Sequence, residues 1–407
     1  DRFEYLAIIL GTDFGSIISL GIGPIVMSSI ILQLLVGSGI LNIDTKTPEG
    51  KKYFQGLQKI GVLFFILFES MVYVLMGGLQ ATPGFTGLVI FQLILGGLLI
   101  VLMDEVTTKW GFGSGVSLFI LAGVAWRLFT ELFQFIGQSG ANCIMDFSNT
   151  PCAGKVLIIV QSMIAGTPKE AMVAIAAIAA TALIFVAVVW AQSLKVEIPL
   201  SYDRLRGYGM KWPLAFFYAS NIPVILTAAL LANLQLFGGL LEGWLGHATF
   251  LGHFSNGQAV SGLTYWLGSS NIVESAIRGS LQTSQIFQAL SHILFMVIVS
   301  AVFAVFWVKT SGMDEAGQAK NIIASGLAIP GFRKDPRVLE AILSRYILPL
   351  TIMGGVAVGI LAALSDTLGA MTSGTAILLA VMIMYQMYQN IAQQHAVDMH
   401  PALKGMI

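Results

Sequence analysis

The sequence predicts an all-α protein that crosses a membrane many times, and three observations lead to this prediction. Hydrophobic residues make up 56% of the 407 residues, and the mean hydropathy is +0.82. Charged residues make up only 10%, whereas a soluble domain carries about 25%. Nine apolar segments are each long enough to span a bilayer. This composition excludes a disordered chain, a cytosolic enzyme and a nucleic-acid-binding protein, and the net charge of zero leaves no basic excess to attract phosphates.

The nine predicted spans follow one another along almost the whole chain. A spanning helix needs about 20 mostly apolar residues. The segments that meet this length are 20–41, 59–78, 85–103, 115–136, 170–192, 216–238, 284–308, 346–364 and 374–393. Residues 3–11 form a tenth apolar stretch that is too short to span, so it is either the end of an earlier helix or a short re-entrant element. Glycine is abundant and permits close helix packing, as at the Gly355–Gly359 spacing.

The basic residues give these spans an orientation. When the nine spans alternate across the bilayer, 16 of the 21 Lys and Arg residues lie in loops on one side and five lie on the other. Basic residues concentrate in cytoplasmic loops, so the richer side is predicted to be cytoplasmic. The C-terminus is then inside and Asp1 outside. We therefore expect a further span to precede Asp1.

Two predicted cytoplasmic loops, 193–215 and 309–345, hold most of these basic residues. Both are too long to be simple turns. Their charge either fixes the topology or forms a docking surface for a large anionic partner, and the loops themselves favour neither interpretation. On the opposite side, Cys143 and Cys152 share one polar connection. They form either a small disulfide, if that side is oxidising, or two free thiols.

Two proline-interrupted segments indicate a central pathway. Residues 20–35 and 220–236 each begin an apolar run around a proline, Pro24 and Pro223. Such breaks in corresponding positions of two halves point to a pathway between internal repeats, although two ordinary kinked helices would show the same pattern. Span 20–41 and span 216–238 contain no ionisable residue, and Glu69 is the only acid deep within a span. An apolar pathway suits a gate for a large substrate better than a binding site for a small solute.

Motifs for catalysis or metal binding are scarce. The chain contains no metalloprotease, nucleophile-elbow or Walker sequence, so we expect no enzymatic activity. The glycine-rich run at 111–115 lacks a preceding strand and is interpreted as a flexible start of a helix. His395, Asp398 and His400 are close in sequence, but they lie in a short tail and we expect them not to bind a metal. No cofactor is expected.

The same segments resemble the SecY family, the central subunits of protein-conducting channels, and most closely its archaeal members. The matching stretches are LGIGPIV at 20–26, LMDEVTTKWGFGSGVSLFILAGV at 102–124, KVEIPL at 195–200, YASNIPVILTAALLANLQL at 218–236, FWVKTSGMD at 306–314 and IPGFRKD at 329–335. They follow in order along nearly the whole chain. The resemblance implies a ten-span fold, of which the nine spans here would be the second to the tenth, arranged as two inverted pseudo-symmetric halves around an hourglass pore.

The resemblance also implies a division of the chain. Residues 1–19 would be a plug region, 20–140 the N-terminal half, 141–169 an external hinge and 170–407 the C-terminal half with the two long cytoplasmic loops. The channel would pass secretory polypeptides and release transmembrane segments sideways into lipid. An apolar pore ring and the plug would seal it. A secondary transporter for a small solute is the alternative, and it rests only on the paired proline-interrupted spans.

The resemblance assigns residues to four sites. The pore ring would consist of Ile22, Val26, Val116, Ile120, Ile225 and Leu379, with Leu378 as the alternative to the last. The plug would present Phe3, Tyr5, Leu6, Ile8, Ile9 and Leu10. Polar residues of a lateral gate, formed by spans 20–41 and 59–78 against 216–238 and 284–308, would include Glu69 and Asn233. Met27 stands at the third gate position, where the family often has Thr.

The implied partners follow from the same resemblance. Ribosome docking would use Arg204, Arg206, Arg333 and Lys334 of the two basic loops, which favours the partner-surface interpretation of their charge. A SecE-like subunit and a small β subunit would complete the channel, and its substrates would be signal sequences and nascent polypeptides. Membrane lipid would surround it, and no nucleic-acid sequence would be recognised. The expected location is the plasma membrane.

Overall fold

The structure is a computed structural model. It describes residues 16–37, 40–43, 47–75, 79, 82, 84–111, 114–135, 143–144, 151–202, 209–219, 222–255, 258–324, 327–328, 335–372 and 374–399. The helices in this part are α1 (Gly23–Gly37), α2 (Pro48–Leu75), α3 (Thr86–Trp110), α4 (Gly115–Phe133), α5 (Lys155–Ala165), α6 (Pro168–Ser193), α7 (Ile222–Leu245), α8 (Leu263–Leu267), α9 (Ile272–Arg278), α10 (Thr283–Thr310), α11 (Glu315–Ala324), α12 (Pro336–Thr367) and α13 (Gly374–Met399).

Within the described residues, eight helices are long and apolar enough to cross a membrane, and they correspond to eight of the nine predicted spans. The exception is the first span, predicted at 20–41, which contains only the 15 residues of α1. At 1.5 Å per residue this helix is about 22 Å long, less than the ~30 Å hydrocarbon core. The residues before it form turns rather than helix, and Gly21 has a left-handed φ of 53°. The described helix at this predicted span is therefore shorter than the predicted segment.

Two spans extend further than predicted at their cytoplasmic ends. Helix α2 begins 11 residues before the predicted start at residue 59, and α12 begins at Pro336 rather than at 346. Asp335 caps α12 by accepting a hydrogen bond from the backbone N–H of Arg337 at 3.0 Å, and proline follows at the first helical position. Both features are typical of helix starts. The Asp335–Pro336 pair is therefore a sequence signal for the start of α12 that hydropathy does not detect.

The tightest helix pair joins α10 and α12, and glycine makes it possible. A Cβ atom at Gly355 would lie 2.8 Å from the Cβ of Ala304, and one at Gly359 would lie 2.8 Å from the backbone oxygen of Met296. The Gly355–Gly359 spacing noted in the sequence is therefore a packing motif. Helix α10 also packs against α1 and α7, which places it between the two halves of the chain.

The two long loops predicted to be cytoplasmic contain strands, which hydropathy alone did not predict. Strands β1 (Lys195–Tyr202) and β2 (Gly209–Ala215) form an antiparallel hairpin, and β5 (Leu327–Ala328) joins the other edge of β1. The alternation of Val196, Glu197 and Ile198 is the period of a strand. A second hydrophobic core lies beneath this sheet, where Ile198 and Leu214 pack with α11 and the lower turns of α12.

The opposite side carries smaller elements. Cys143 and Cys152 are joined by a disulfide, which settles the alternatives left by the sequence. Strands β3 (His253–Ser255) and β4 (Gln258–Ser261) form a short hairpin between α7 and α8. Arg278 at the end of α9 bonds Glu274 of its own helix at 2.9 Å and Glu170 of α6 at 2.8 Å, and these two carboxylates raise the pKa of the guanidinium. The ion pair of Arg278 with Glu170 joins α9 to α6.

Candidate pore and lateral gate

The structure brings the six predicted ring residues together at the centre of the helix bundle. Five of them are buried, and Val116 is half-buried against the same hydrophobic core. They come from α4, α7, α13 and the start of α1, and these helices contact one another in the pairs α1–α7, α4–α13 and α7–α13. Leu378 and Leu379 both belong to this core, so both positions proposed for the last helix point into the bundle. We use the name proposed ring for Ile22, Val26, Val116, Ile120, Ile225 and Leu379.

A cavity of about 680 Å³ adjoins the proposed ring. Val26, Val116 and Ile225 form part of its lining. Its walls come from both halves of the chain and combine apolar with polar side chains; the polar ones include Gln33, Gln55, Gln58, Ser117 and Thr310. A narrow passage between apolar side chains is not readily wetted by water, so the ring residues on this lining are candidates for a seal.

Helix α1 forms the boundary between the halves, because it packs on α7 and on α10. These are three of the four helices predicted to form the lateral gate. On the other face of α1, Ser28 donates a hydrogen bond to the backbone oxygen of Gln58 at 2.9 Å, and the Gln58 amide donates to Ser29 at 2.6 Å. Polar contacts therefore fix α1 to α2, while apolar residues of α1 and α7 belong to one hydrophobic core.

The three predicted gate residues lie inside the bundle with different surroundings. Glu69 is 4% exposed, and among the described residues its Oε1 has no hydrogen-bond partner. The Asn233 amide donates to the backbone oxygen of Ala229 in its own helix, at 2.8 Å. Met27 is half-buried and packs against the core. The gate interior thus combines one unsatisfied acid oxygen, one amide bonded locally and one apolar side chain where a hydroxyl was expected.

A polar group near the outer end of the pore was missed by the sequence reasoning. Asp366, at the end of α12, accepts a hydrogen bond from the backbone N–H of Thr375 at 3.0 Å, and its Oδ2 lies 3.5 Å from the Nε2 of His292. The preceding connection is fixed as well, because the N–H of Thr372 donates to Glu131 of α4 at 3.0 Å. A histidine in the middle of an apolar span was the available signal for His292.

Several predicted site residues lie outside the described residues. These are the plug residues Phe3, Tyr5, Leu6, Ile8, Ile9 and Leu10 and the docking residues Arg204, Arg206, Arg333 and Lys334. The strands beside the docking residues are described, and β1 pairs with β5 through Ser201 with Ala328 and Tyr202 with Leu327. The two basic loops are therefore joined by a sheet.

Metal ligands are not assembled in the described part of the chain, where no group of three or more His, Cys, Asp or Glu residues has a metal-binding arrangement. His400 lies outside the described residues, so the cluster considered in the tail is not tested there.

Comparison with known proteins identifies the family. The SecY family profile matches residues 16–388. The chain belongs to the SecY family. Protein translocase subunit SecY of Methanothermobacter thermautotrophicus is 40% identical over all of this chain and 87% of its own length. A solved structure of a protein-conducting channel has a TM-score of 0.83 at 38% identity, covering 98% of this chain and 87% of that one. Sec61 in a canine ribosome–channel complex has a TM-score of 0.79 at 37% identity, covering 98% and 87%.

Family membership confirms the fold class and the function predicted from the sequence. The protein is a multi-pass, helical channel subunit for polypeptides, and it is not an enzyme. The alternative of a small-solute transporter lacks support from these comparisons.

Proposed function

We propose that the proposed ring is the seal through which this SecY protein passes polypeptides. The observation that carries the proposal is that apolar residues of α1, α4, α7 and α13 meet in one hydrophobic core, where three of them line a cavity of about 680 Å³. No side chain of the ring carries a hydrogen-bonding group. The seal is therefore held by packing alone, and it can widen around a chain without breaking hydrogen bonds.

The same packing explains how the closed state excludes ions. An ion that entered the ring would lose its water and find no polar partner there, which is a large energetic cost. A narrow apolar constriction also empties of water. We propose that the plug region, 1–19, adds a second seal from the outer side.

For sideways release into lipid, we propose that α1 separates from α7 and α10. Two features support this: α1 is hydrogen-bonded to α2 through Ser28 and Ser29, and apolar residues of α1 and α7 belong to one hydrophobic core. A body made of α1 and α2 can then move away from α7 as one unit. Met27, Glu69 and Asn233 would line the opened path. The half-buried Met27 offers an apolar surface to an emerging transmembrane segment.

We further propose that ribosomes dock on the two basic loops through Arg204, Arg206, Arg333 and Lys334. Support comes from the sheet that joins these loops and from the likeness to Sec61, which was solved in a ribosome–channel complex. Clustered basic residues favour an anionic partner such as ribosomal RNA, without reading its sequence. A SecE-like subunit and a small β subunit are the proposed partners, and the plasma membrane is the proposed location, with the C-terminus inside.

Site-specific cross-linking tests the pathway. A cysteine at Ile225 should form a disulfide with a cysteine in a polypeptide arrested during translocation, because Ile225 lines the cavity. A cysteine at Leu183, which is 61% exposed on the outer surface of α6, is the matched control and should not react. Equal reaction at both positions, or reaction only at Leu183, would contradict the pathway.

Charge reversal tests the docking surface separately. Replacing Arg204 and Arg206 by Glu should weaken ribosome binding and reduce its dependence on salt, since released counterions drive such binding. Lys109→Glu is the control: Lys109 is also cytoplasmic, but it lies on α3 and pairs with Glu105 at 2.7 Å. If the control weakens binding as much as the Arg204 and Arg206 variant, the charge acts nonspecifically and the docking proposal fails.

A further inference from the structure

The outer end of the ring helix α13 is held by an acid from a different helix. Asp366 of α12 accepts the backbone N–H of Thr375 at Oδ1, and the Thr375 hydroxyl donates to Oδ2. The first N–H groups of a helix have no partner within it, and a negative charge is favourable there. Thr375 lies four residues before Leu379, so both are on one face of α13. The acid therefore fixes the helix one turn from a proposed ring residue.

The same carboxylate also faces the gate helix α10. His292 is fully buried, and its Nε2 lies 3.5 Å from Oδ2 of Asp366. Its Nδ1 lies 2.7 Å from the backbone oxygen of Leu267. A carbonyl oxygen only accepts, so Nδ1 must carry a proton. Nε2 makes no hydrogen bond within the described residues, but at 3.5 Å it lies within ion-pair distance of Oδ2, so His292 and Asp366 meet across the α10–α12 interface.

The position of α10 connects this pair to the gate. Helix α10 packs on α1 and α7, across the boundary that we propose to open. It is also locked to α12 at Gly355 and Gly359, so a displacement of α10 must carry α12 and Asp366 with it. Because Asp366 holds Thr375, that displacement reaches the start of α13. The contacts run without interruption from gate helix to ring helix.

We propose that His292 and Asp366 are positioning residues that couple the lateral gate to the pore seal. With the pair intact, α13 keeps Leu379 in the closed ring while α10 is in its closed position. A shift of α10 draws the start of α13 with it and loosens the ring. The proposal rests on the proposed function, because it needs Leu379 to be part of the seal.

Ion conductance of the resting channel in planar bilayers tests the coupling. The full chain, purified with the subunits that accompany it, is used throughout. Asp366→Asn and His292→Leu should each raise the resting leak by roughly fivefold, and the double variant should leak no more than either single variant, because coupled residues are not additive. His292→Gln retains an amide donor towards Asp366, so it should leak less than His292→Leu. If His292 had a purely structural role, His292→Gln would not leak less than His292→Leu.

Two controls separate coupling from general loss of stability. Asp314 is buried and accepts the backbone N–H of Gly317 at 3.1 Å at the start of α11, so Asp314→Asn removes a comparable acid at a helix start away from the pore. It should lower the thermal midpoint without raising the leak. If Asp366→Asn does not fold, Thr375→Val removes only the hydroxyl bond to Oδ2 and should still raise the leak.

A further variant distinguishes failure of the coupling from failure of the ring assignment. Leu379→Gly is measured in parallel, and if it leaks while the Asp366 and Thr375 variants stay as tight as the unaltered channel, the coupling is overturned and the ring stands. A double variant whose leak equals the product of the two single effects also overturns it. If Leu379→Gly does not leak, the ring assignment of Leu379 fails and the coupling fails with it.

Discussion

The centre of the channel and its outer end are built from opposite chemistry. The proposed ring consists of apolar side chains that make no hydrogen bonds, whereas the start of α13 is held by Asp366, Glu131 and their backbone donors. Apolar packing has no preferred direction, so the ring side chains can pack against one another or against a passing chain. Hydrogen bonds are directional, and they fix position. The difference indicates that the proposed ring can change its shape, whereas its position is set by the hydrogen bonds at the start of α13.

The largest effect should come from breaking the helix pair on which both regions depend. In Gly359→Leu, the new side chain meets the backbone of Met296 and Val297, within 2.8 and 2.9 Å at Cβ, and the backbone cannot yield cheaply. We expect a loss of about 3 kcal/mol, measured as a lower thermal midpoint in detergent. Gly87→Leu is the control, because a Cβ there meets nothing within 4 Å. Equal losses in both variants would show that α10 and α12 are not tightly packed.

A smaller effect should follow from removing one directional bond at the polar end. Glu131→Leu leaves the N–H of Thr372 without its acceptor, and Thr372 already has a left-handed φ of 55°, which is unusual for threonine. We expect a loss of about 2 kcal/mol and faster hydrogen exchange in residues 368–375, measured by mass spectrometry. Glu131→Gln retains a carbonyl acceptor and should exchange close to the unaltered rate. If Gln and Leu exchange equally fast, this hydrogen bond does not hold the connection.

The smallest effect should come from the second hydrophobic core, where a hydrogen bond lies away from both pore regions. The Tyr218 hydroxyl donates to the backbone oxygen of Met313 at 2.6 Å, joining the connection between β2 and α7 to the connection between α10 and α11. Tyr218→Phe should cost about 1 kcal/mol and leave the resting conductance unchanged. Tyr53→Phe, at an exposed position of α2, should cost nothing measurable. Conductance that rises in Tyr218→Phe would mean that the second hydrophobic core also affects the proposed ring.

How much the sequence predicted depended on the range of the interactions. Hydropathy is summed over many residues, so eight spans were predicted well. The family resemblance then named ring positions that all lie in one core. The helix at the first predicted span is shorter than the predicted segment because turns around Gly21 precede α1. Such a local backbone feature does not change a hydropathy average. The strand β1 was missed for the opposite reason: its alternating pattern was short and lay in a loop set aside for its charge.

Contacts between distant residues were beyond the sequence. His292 and Asp366 are 74 positions apart, and Glu131 and Thr372 are 241 apart. No spacing rule relates such residues, and an isolated polar residue near a helix end is ordinary. Only the packing of α10 on α12 and of α4 beside α13 brings them together. The disulfide of Cys143 and Cys152 is intermediate, because the short separation of nine residues allowed the pairing without deciding it.

The most direct test of the seal is the ion conductance of the resting channel in a planar bilayer. With Ile22, Val26, Ile120 and Ile225 all replaced by Gly, the constriction widens and loses its apolar lining, so we expect a clearly higher conductance. Ile347→Gly is the control, since Ile347 is equally buried but lies in the second hydrophobic core, and the channel should stay closed. Conductance unchanged by the four ring substitutions, or raised as much by Ile347→Gly, would contradict the apolar ring as the seal.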